Sequence, residues 1–223
     1  MAGDTIILLI GSRGSGKTSF VKFAGGIGVD PSPTTACRAY GIEGKSFSSF
    51  TVIDTPGLDD LPSGNLAILK DIAQTLVTLG SPKVTGAIFF HRITDTRLGG
   101  SARSHLDIFR NLCGDGFAEQ AAFVTTMWNT IGRSGLQKYQ LLESELRVKH
   151  FSIGPGGNAS FRFGNSRVSA VEVLEHFADR PARRQLLFAE EVTRFGSSLS
   201  GMRKTSAGVA VMRKSGGGKC VIL

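Results

Sequence analysis

The apolar positions of this chain fall into two alternating rhythms. Thr5 to Ile10 (TIILLI) is an unbroken apolar run, the pattern of a parallel strand covered on both faces. Gly11 to Thr18 then reads as a loop. Ser19 to Ala24 opens a helix that Gly25, Gly26 and Gly28 end, and the two prolines in Val29 to Thr35 mark another loop. Strands are predicted at Ala39–Glu43 and Phe50–Ile53. Asn65 to Leu79 carries Leu66, Ile68, Leu69, Ile72, Ala73, Leu76 and Leu79, the spacing of a helix with one buried face. The same alternation continues with a strand at Val84–Phe90, a helix at Ser101–Leu112, a strand at Gln120–Met127 and a helix at Gly135–Val148. A short strand at Ser160–Phe163 and a helix at Ser169–Phe177 complete it. Strands alternating with helices in this order imply an α/β fold with a mostly parallel central sheet and helices on both faces.

Beyond residue 180 the pattern changes. Pro181 to Leu199 is expected to form a further amphipathic helix, with Leu186, Leu187, Ala189, Val192 and Phe195 available for burial. After Gly201 the chain is rich in Ser, Gly, Lys and Arg, and that composition predicts a flexible tail. The organisation expected is therefore one domain over 1–180, a helix over 181–200 and a basic tail over 201–223, without internal repeats.

Composition narrows the class. The 223 residues are 41% hydrophobic and 20% charged, ordinary for a soluble protein that buries a substantial core. No run of eighteen apolar residues suggests a transmembrane helix. The apolar start lacks a basic leader segment and runs directly into a glycine loop, so it reads as a core strand, not a signal peptide. Three widely spaced cysteines, Cys37, Cys113 and Cys220, form no CxxC pair and no disulfide framework, which suits a reducing cytosol. Net charge is +8, and most of it lies late: Pro181 to Leu223 holds eight Lys/Arg against two acids. Such a tail attracts nucleic acid or anionic lipid. Beyond Gly201 no aromatic residue interleaves the basic ones for base stacking, which ranks nucleic acid last.

The chemistry is concentrated in Gly11-Ser12-Arg13-Gly14-Ser15-Gly16-Lys17-Thr18, a full GxxxxGK[ST] phosphate loop placed between a strand and a helix. Its glycines let backbone N–H groups turn inward around a β-phosphate, and the helix N-terminus adds partial positive charge. Lys17 is placed to bridge β- and γ-phosphates, and Thr18 to put a hydroxyl on Mg²⁺. The contact set expected over Ser12 to Ser19 is Ser12, Arg13, Gly14, Ser15, Gly16, Lys17, Thr18 and Ser19. Asp54-Thr55-Pro56-Gly57 closes the third predicted strand; Asp54 is positioned to hold the metal through water, and the Gly57 N–H to reach a γ-phosphate. The intervening loop must supply a threonine to metal and γ-phosphate, and Thr34 and Thr35 are both available. Thr35 is counted with Thr18 and Asp54 in the metal set, and with Lys17 and Arg13 in the catalytic set.

With these pieces in place the chain resembles the septin-like branch of GTPases that contains the immune-associated nucleotide-binding proteins and the chloroplast-import receptors, and above all the fungal G-domain proteins of that group. The stretches that carry the likeness are Phe90-His91-Arg92-Ile93-Thr94-Asp95 with Arg97, Asn111-Leu112-Cys113-Gly114, and Val124-Thr125-Thr126-Met127-Trp128-Asn129. It covers roughly Ile6 to Phe195. The resemblance implies a P-loop GTPase fold, GTP or GDP with Mg²⁺ as ligands, and nucleotide-dependent dimerisation across the phosphate face. It also implies that Thr126 to Asn129 and Asn165 contact the base.

Two departures stand out. Relatives end the base-reading motif in Asp, where this chain has Asn129; an amide accepts only one of guanine's two donors. Leu58 follows DTPG where small signalling GTPases place a water-orienting Gln, so intrinsic hydrolysis is expected to be slow. Arg13, acting in cis or across a dimer, is the candidate for stabilising developing charge, with His91, Arg92 and Arg97 behind it.

The chain ends Cys220-Val221-Ile222-Leu223, which matches the C-a-a-X form with X = Leu and predicts a geranylgeranyl group on Cys220. Arg203, Lys204, Arg213, Lys214 and Lys219 upstream would supply the second, electrostatic signal that one lipid chain requires. The expected function is thus a slowly hydrolysing GTP switch, peripheral on a cytoplasmic membrane. The alternative is a non-catalytic scaffold whose nucleotide drives assembly, with relaxed purine specificity.

Overall fold

Strand β1 (Thr5–Gly11) runs up the middle of the molecule, and its unbroken apolar sequence splits cleanly between two cores. Ile6, Leu8 and Ile10 face one, Ile7 and Leu9 the other, as the two-residue period of a strand requires. The computed structural model describes residues 5–43, 49–59, 64–80, 83–95, 99–151, 153, 158–178 and 184–215.

Around β1 stand β2 (Arg38–Ile42), β3 (Phe50–Asp54), β4 (Val84–Arg92), β5 (Ala121–Thr126) and β6 (Ala159–Arg162). They form a six-stranded sheet in the order β2-β3-β1-β4-β5-β6. Every pairing is parallel except β2 with β3, which lies at the edge. The sequence-predicted strands all appear, with ends shifted by a residue or two.

Helices α1 (Lys17–Ala24) and α5 (Arg167–Ala178) cover one face through Phe20, Val21, Ala170, Val173 and Phe177. Helices α2 (Asn65–Thr78), α3 (Gly100–Cys113) and α4 (Leu136–Lys149) contribute to the opposite core through residues such as Ile68, Ile72, Leu106, Phe109 and Leu146. In that core Phe123 of β5 stacks on Phe151 at 4.5 Å between centroids, with Phe89 and Phe109 edge-on around it. The chain is therefore a P-loop α/β fold, a mostly parallel sheet between two helical layers.

The C-terminal segment departs from the sequence expectation. The single helix expected over Pro181–Leu199 is shorter, α6 (Leu187–Phe195), and residues 179–183 lie outside the described set. The expected flexible tail from Gly201 is helical for much of its length. Helix α7 (Leu199–Met202) is capped by Ser198, whose Oγ accepts the Gly201 N–H at 3.1 Å. Helix α8 (Ser206–Ser215) follows and packs against α3. Met202, Ala207 and Val211 are buried there in the core shared with α3. At the start of α8 Glu191 accepts both the backbone N–H and the hydroxyl of Ser206, a negative charge at a helix N-terminus. Cys220 and Lys219 lie outside the described residues. No described helix is long and apolar enough to cross a membrane.

Candidate functional site

The ends of β1 and β3 and the start of α1 meet at one edge of the sheet, where α/β folds bind ligands. β1 turns at Gly11, and the loop reaches the helix through Gly14 (φ 68°) and Gly16 (φ 95°), left-handed positions that favour glycine. Residues Arg13 to Ser19 line a cavity of about 260 Å³ with Pro31, Thr34, Thr55, Gly57 and Met127. Lys17 is only 5% exposed and arches over the loop, its Nζ donating to the Gly11 and Ser12 carbonyl oxygens at 3.1 Å each. Ser15 Oγ is buried with no hydrogen-bond partner. Arg13, Gly14 and Ser19 are exposed at the cavity mouth.

At the cavity floor three oxygens converge. The Thr18 hydroxyl donates to Asp54 Oδ2 at 2.7 Å, and the Thr34 hydroxyl donates to the same oxygen at 3.0 Å. The two hydroxyl oxygens are 3.0 Å apart. Asp54 is fully buried and its other oxygen, Oδ1, has no hydrogen-bond partner. Burial holds its carboxyl above the usual carboxylate range, against the opposing pull of the two hydroxyls and Lys17. A buried carboxylate with one orphaned oxygen and two adjacent hydroxyls is the donor chemistry of a small hard cation that takes its remaining ligands from phosphate and water. Mg²⁺ fits these residues. The structure also separates the two threonines: Thr34 is buried in this cluster, whereas Thr35 is exposed outside it.

The DTPG turn lies directly against the phosphate loop. A Cβ at Gly57 would collide with the backbone of Arg13, so only glycine permits this approach. The Leu58 N–H donates to the Gly11 carbonyl at 3.1 Å, and the Leu58 side chain, 2% exposed, faces the core and cannot orient water. The Thr55 hydroxyl donates to the Leu9 carbonyl at 2.7 Å, tying the turn to β1.

The candidate base contacts fall at the ends of β5 and β6. Asn129 sits in a short 3₁₀ turn (Trp128–Thr130), and Asn165 holds a left-handed backbone at φ 54°. Their amides meet: Asn165 Nδ2 donates to Asn129 Oδ1 at 3.3 Å. Thr126 is placed differently. It is buried, and its hydroxyl donates to the Ser15 carbonyl at 2.9 Å, bracing the phosphate loop from behind.

Of the further candidates, His91 is buried, edge-on to Phe151, and burial lowers its pKa so that it is neutral near pH 7. Arg92 lies beside Gly14 and pairs with Asp95 at 3.0 Å. Arg97 lies outside the described residues.

Two polar constellations were not legible in the sequence. One joins the phosphate loop to α3: Ser12 Oγ is 3.1 Å from His105 Nδ1, and His105 Nε2 is 2.7 Å from Asp59 Oδ2. The other stands behind the base loop. Buried Glu143 of α4 accepts the Thr125 hydroxyl at 2.7 Å and Arg162 Nε at 2.7 Å, while the Arg162 guanidinium covers the Trp128 ring at 4.2 Å. Their members lie far apart along the chain and have no local motif.

No family model matches the sequence, and no curated protein matches it. Among solved structures the fold is similar to Toc33 from Arabidopsis thaliana, as a dimerization-deficient mutant. That match has a TM-score of 0.62 at 15% identity, covering 83% of this chain and 87% of that one. Toc33 in complex with Mg²⁺ and GMPPNP matches with a TM-score of 0.58 at 16% identity, covering 91% and 86%. A structure of the chloroplast translocon components atToc33 and psToc159, for which dimerization is described as important for GTPase activity, matches at 0.57 and 18% identity, covering 82% and 84%. Era in complex with MgGDPNP and a ribosomal RNA segment matches at 0.57 and 13% identity, over 82% of this chain and 58% of that one. These likenesses establish the fold that the chain shares with G-domain GTPases.

Proposed function

We propose that this chain binds GTP and GDP with Mg²⁺ and hydrolyses GTP slowly, with assistance from dimerisation, as a switch at a cytoplasmic membrane surface. The observation that carries the reading is the Thr18–Thr34–Asp54 cluster with its orphaned carboxylate oxygen, set beside a phosphate loop that holds a buried lysine. Bound Mg²⁺ would neutralise charge on the β- and γ-phosphates. The chain's own groups do the rest. Lys17 would supply a fixed cation at the loop, the loop N–H groups would hold phosphate oxygens, and the N–H of Gly57, which lines the same cavity, would serve a γ-phosphate.

Slow turnover follows from Leu58, which is packed into the core where a water-orienting group would be needed. Arg13 is exposed on the loop, where it would face a second copy across a two-fold contact between phosphate faces, and the importance of dimerization for the GTPase activity of atToc33 and psToc159 supports that route. Turnover per molecule is therefore expected to rise with protein concentration through the dimerisation range. A rate per molecule that stays flat while the protein demonstrably dimerises would reject the assisted mechanism. It would favour the second reading, an assembly module with incidental hydrolysis, which the buried Leu58 also suits.

Membrane attachment rests on sequence chemistry: a C-terminal CVIL and the basic residues before it. Arg203, Lys204 and Arg213 are exposed around α8, consistent with an electrostatic contact worth about 1 kcal/mol per basic residue at an anionic surface. In cells able to prenylate, the Cys220→Ser variant is expected in the soluble fraction. If it remains with the membranes, the lipid anchor is excluded.

A further inference from the structure

We infer that His105 is a positioning residue that joins the phosphate loop to the segment after the DTPG turn and so sets how strongly the site prefers a triphosphate over a diphosphate. This rests on the guanine-nucleotide reading above. His105 comes from α3 and is 3% exposed, so its imidazole is held by its partners and not by solvent. One nitrogen reaches back to Ser12 Oγ of the phosphate loop at 3.1 Å, and the other reaches Asp59 Oδ2 at 2.7 Å. A carboxylate can only accept, so Nε2 carries a proton; in the neutral ring Nδ1 then accepts from the Ser12 hydroxyl. The ring is a spacer of fixed length between two loops.

Asp59 is itself held in place. Its backbone is left-handed at φ 67°, its N–H donates to Asn65 Oδ1 at 2.7 Å, and its Oδ1 accepts Asn65 Nδ2 at 2.9 Å. Asn65 opens α2, so the arrangement links the phosphate loop, α3, the DTPG segment and α2. The three residues Gly57 to Asp59 are thereby fastened to the loop in succession: by close approach of Gly57 to Arg13, by the Leu58 N–H to the Gly11 carbonyl, and by Asp59 through His105 to Ser12.

In the nucleotide reading above, the Gly57 N–H would contact the γ-phosphate, a group that a diphosphate lacks. Fixing that N–H in advance therefore favours the triphosphate and leaves the diphosphate unaffected, a difference that simple packing by His105 would not produce.

The test compares dissociation constants for GMPPNP and GDP, with Mg²⁺, in the full chain and in His105→Ala and Asp59→Gly. Glycine adopts the left-handed backbone freely and keeps the backbone N–H that donates to Asn65, so the second variant removes the carboxylate that holds His105 without straining the turn and decides the question alone if His105→Ala does not fold. GMPPNP binding is expected to weaken about tenfold in either variant, with GDP binding within about twofold of the parent. Equal weakening of both nucleotides, or an unchanged ratio, overturns the positioning role. A parent chain that binds neither nucleotide would instead overturn the underlying reading of the site, and the positioning role with it.

Discussion

Replacing Lys17 by alanine is expected to weaken binding of GTP by at least about 100-fold and of GDP by at least about tenfold. Its ammonium group is buried at the centre of the phosphate loop and directed at the carbonyl oxygens of Gly11 and Ser12, neutral acceptors that phosphate oxygens would replace as partners. Charge-assisted hydrogen bonds to phosphate contribute about 1.5–3 kcal/mol each, two in GTP and one, to the β-phosphate, in GDP, and every 1.4 kcal/mol is a factor of about ten in affinity. The fold itself should survive. Alanine removes a side chain from the first turn of α1 but leaves Phe20, Val21 and Ala24 packed on the sheet. Calorimetric titration with each nucleotide in Mg²⁺, beside a melting curve of the nucleotide-free variant, separates loss of the site from loss of the protein. Retained affinity in a folded variant would mean that the glycine turn is not a phosphate site.

That this experiment could be designed from sequence reflects how local the phosphate loop is. A strand, eight loop residues and a helix start are contiguous, so their residue types report the geometry directly. The sheet was legible for a related reason, since TIILLI tolerates no face exposed to water. What the sequence left open depends on contacts between distant segments. Thr34 and Thr35 are chemically equivalent neighbours, and only the path of their loop past Asp54 buries one and exposes the other. His105 reads as an ordinary helical polar residue until α3 is laid beside Ser12 and Asp59.

The C-terminal segment shows the opposite error. Its Ser, Gly and basic residues match a disordered composition, but Ala207 and Val211 lie four residues apart on one face of α8, and Met202 joins them against α3. Composition averages over the segment, whereas docking needs only a narrow stripe and a groove prepared elsewhere in the chain.

Asn129→Asp is expected to raise the preference for GTP over XTP by about tenfold to hundredfold. Guanine offers two donors on one edge, N1–H and the 2-amino group, and a carboxylate accepts both. An amide accepts one and turns its own NH₂ toward the other, whereas xanthine, with a carbonyl at that position, suits the amide. Exchanging one such charge-assisted bond for a donor facing a donor changes binding by about 1.5–3 kcal/mol. The surroundings make the substitution a test of chemistry and not of loop position. Trp128 donates to the Thr125 hydroxyl at 2.9 Å and lies under the Arg162 guanidinium, and Glu143 fixes both Thr125 and Arg162. Asn165, which now donates to Asn129 Oδ1, can donate equally to an aspartate, so the pair survives the exchange. Competition between GTP and XTP for the parent and the variant gives the answer. If the ratio does not move, Asn129 does not read the purine, and the amide pair at the ends of β5 and β6 is a loop contact alone.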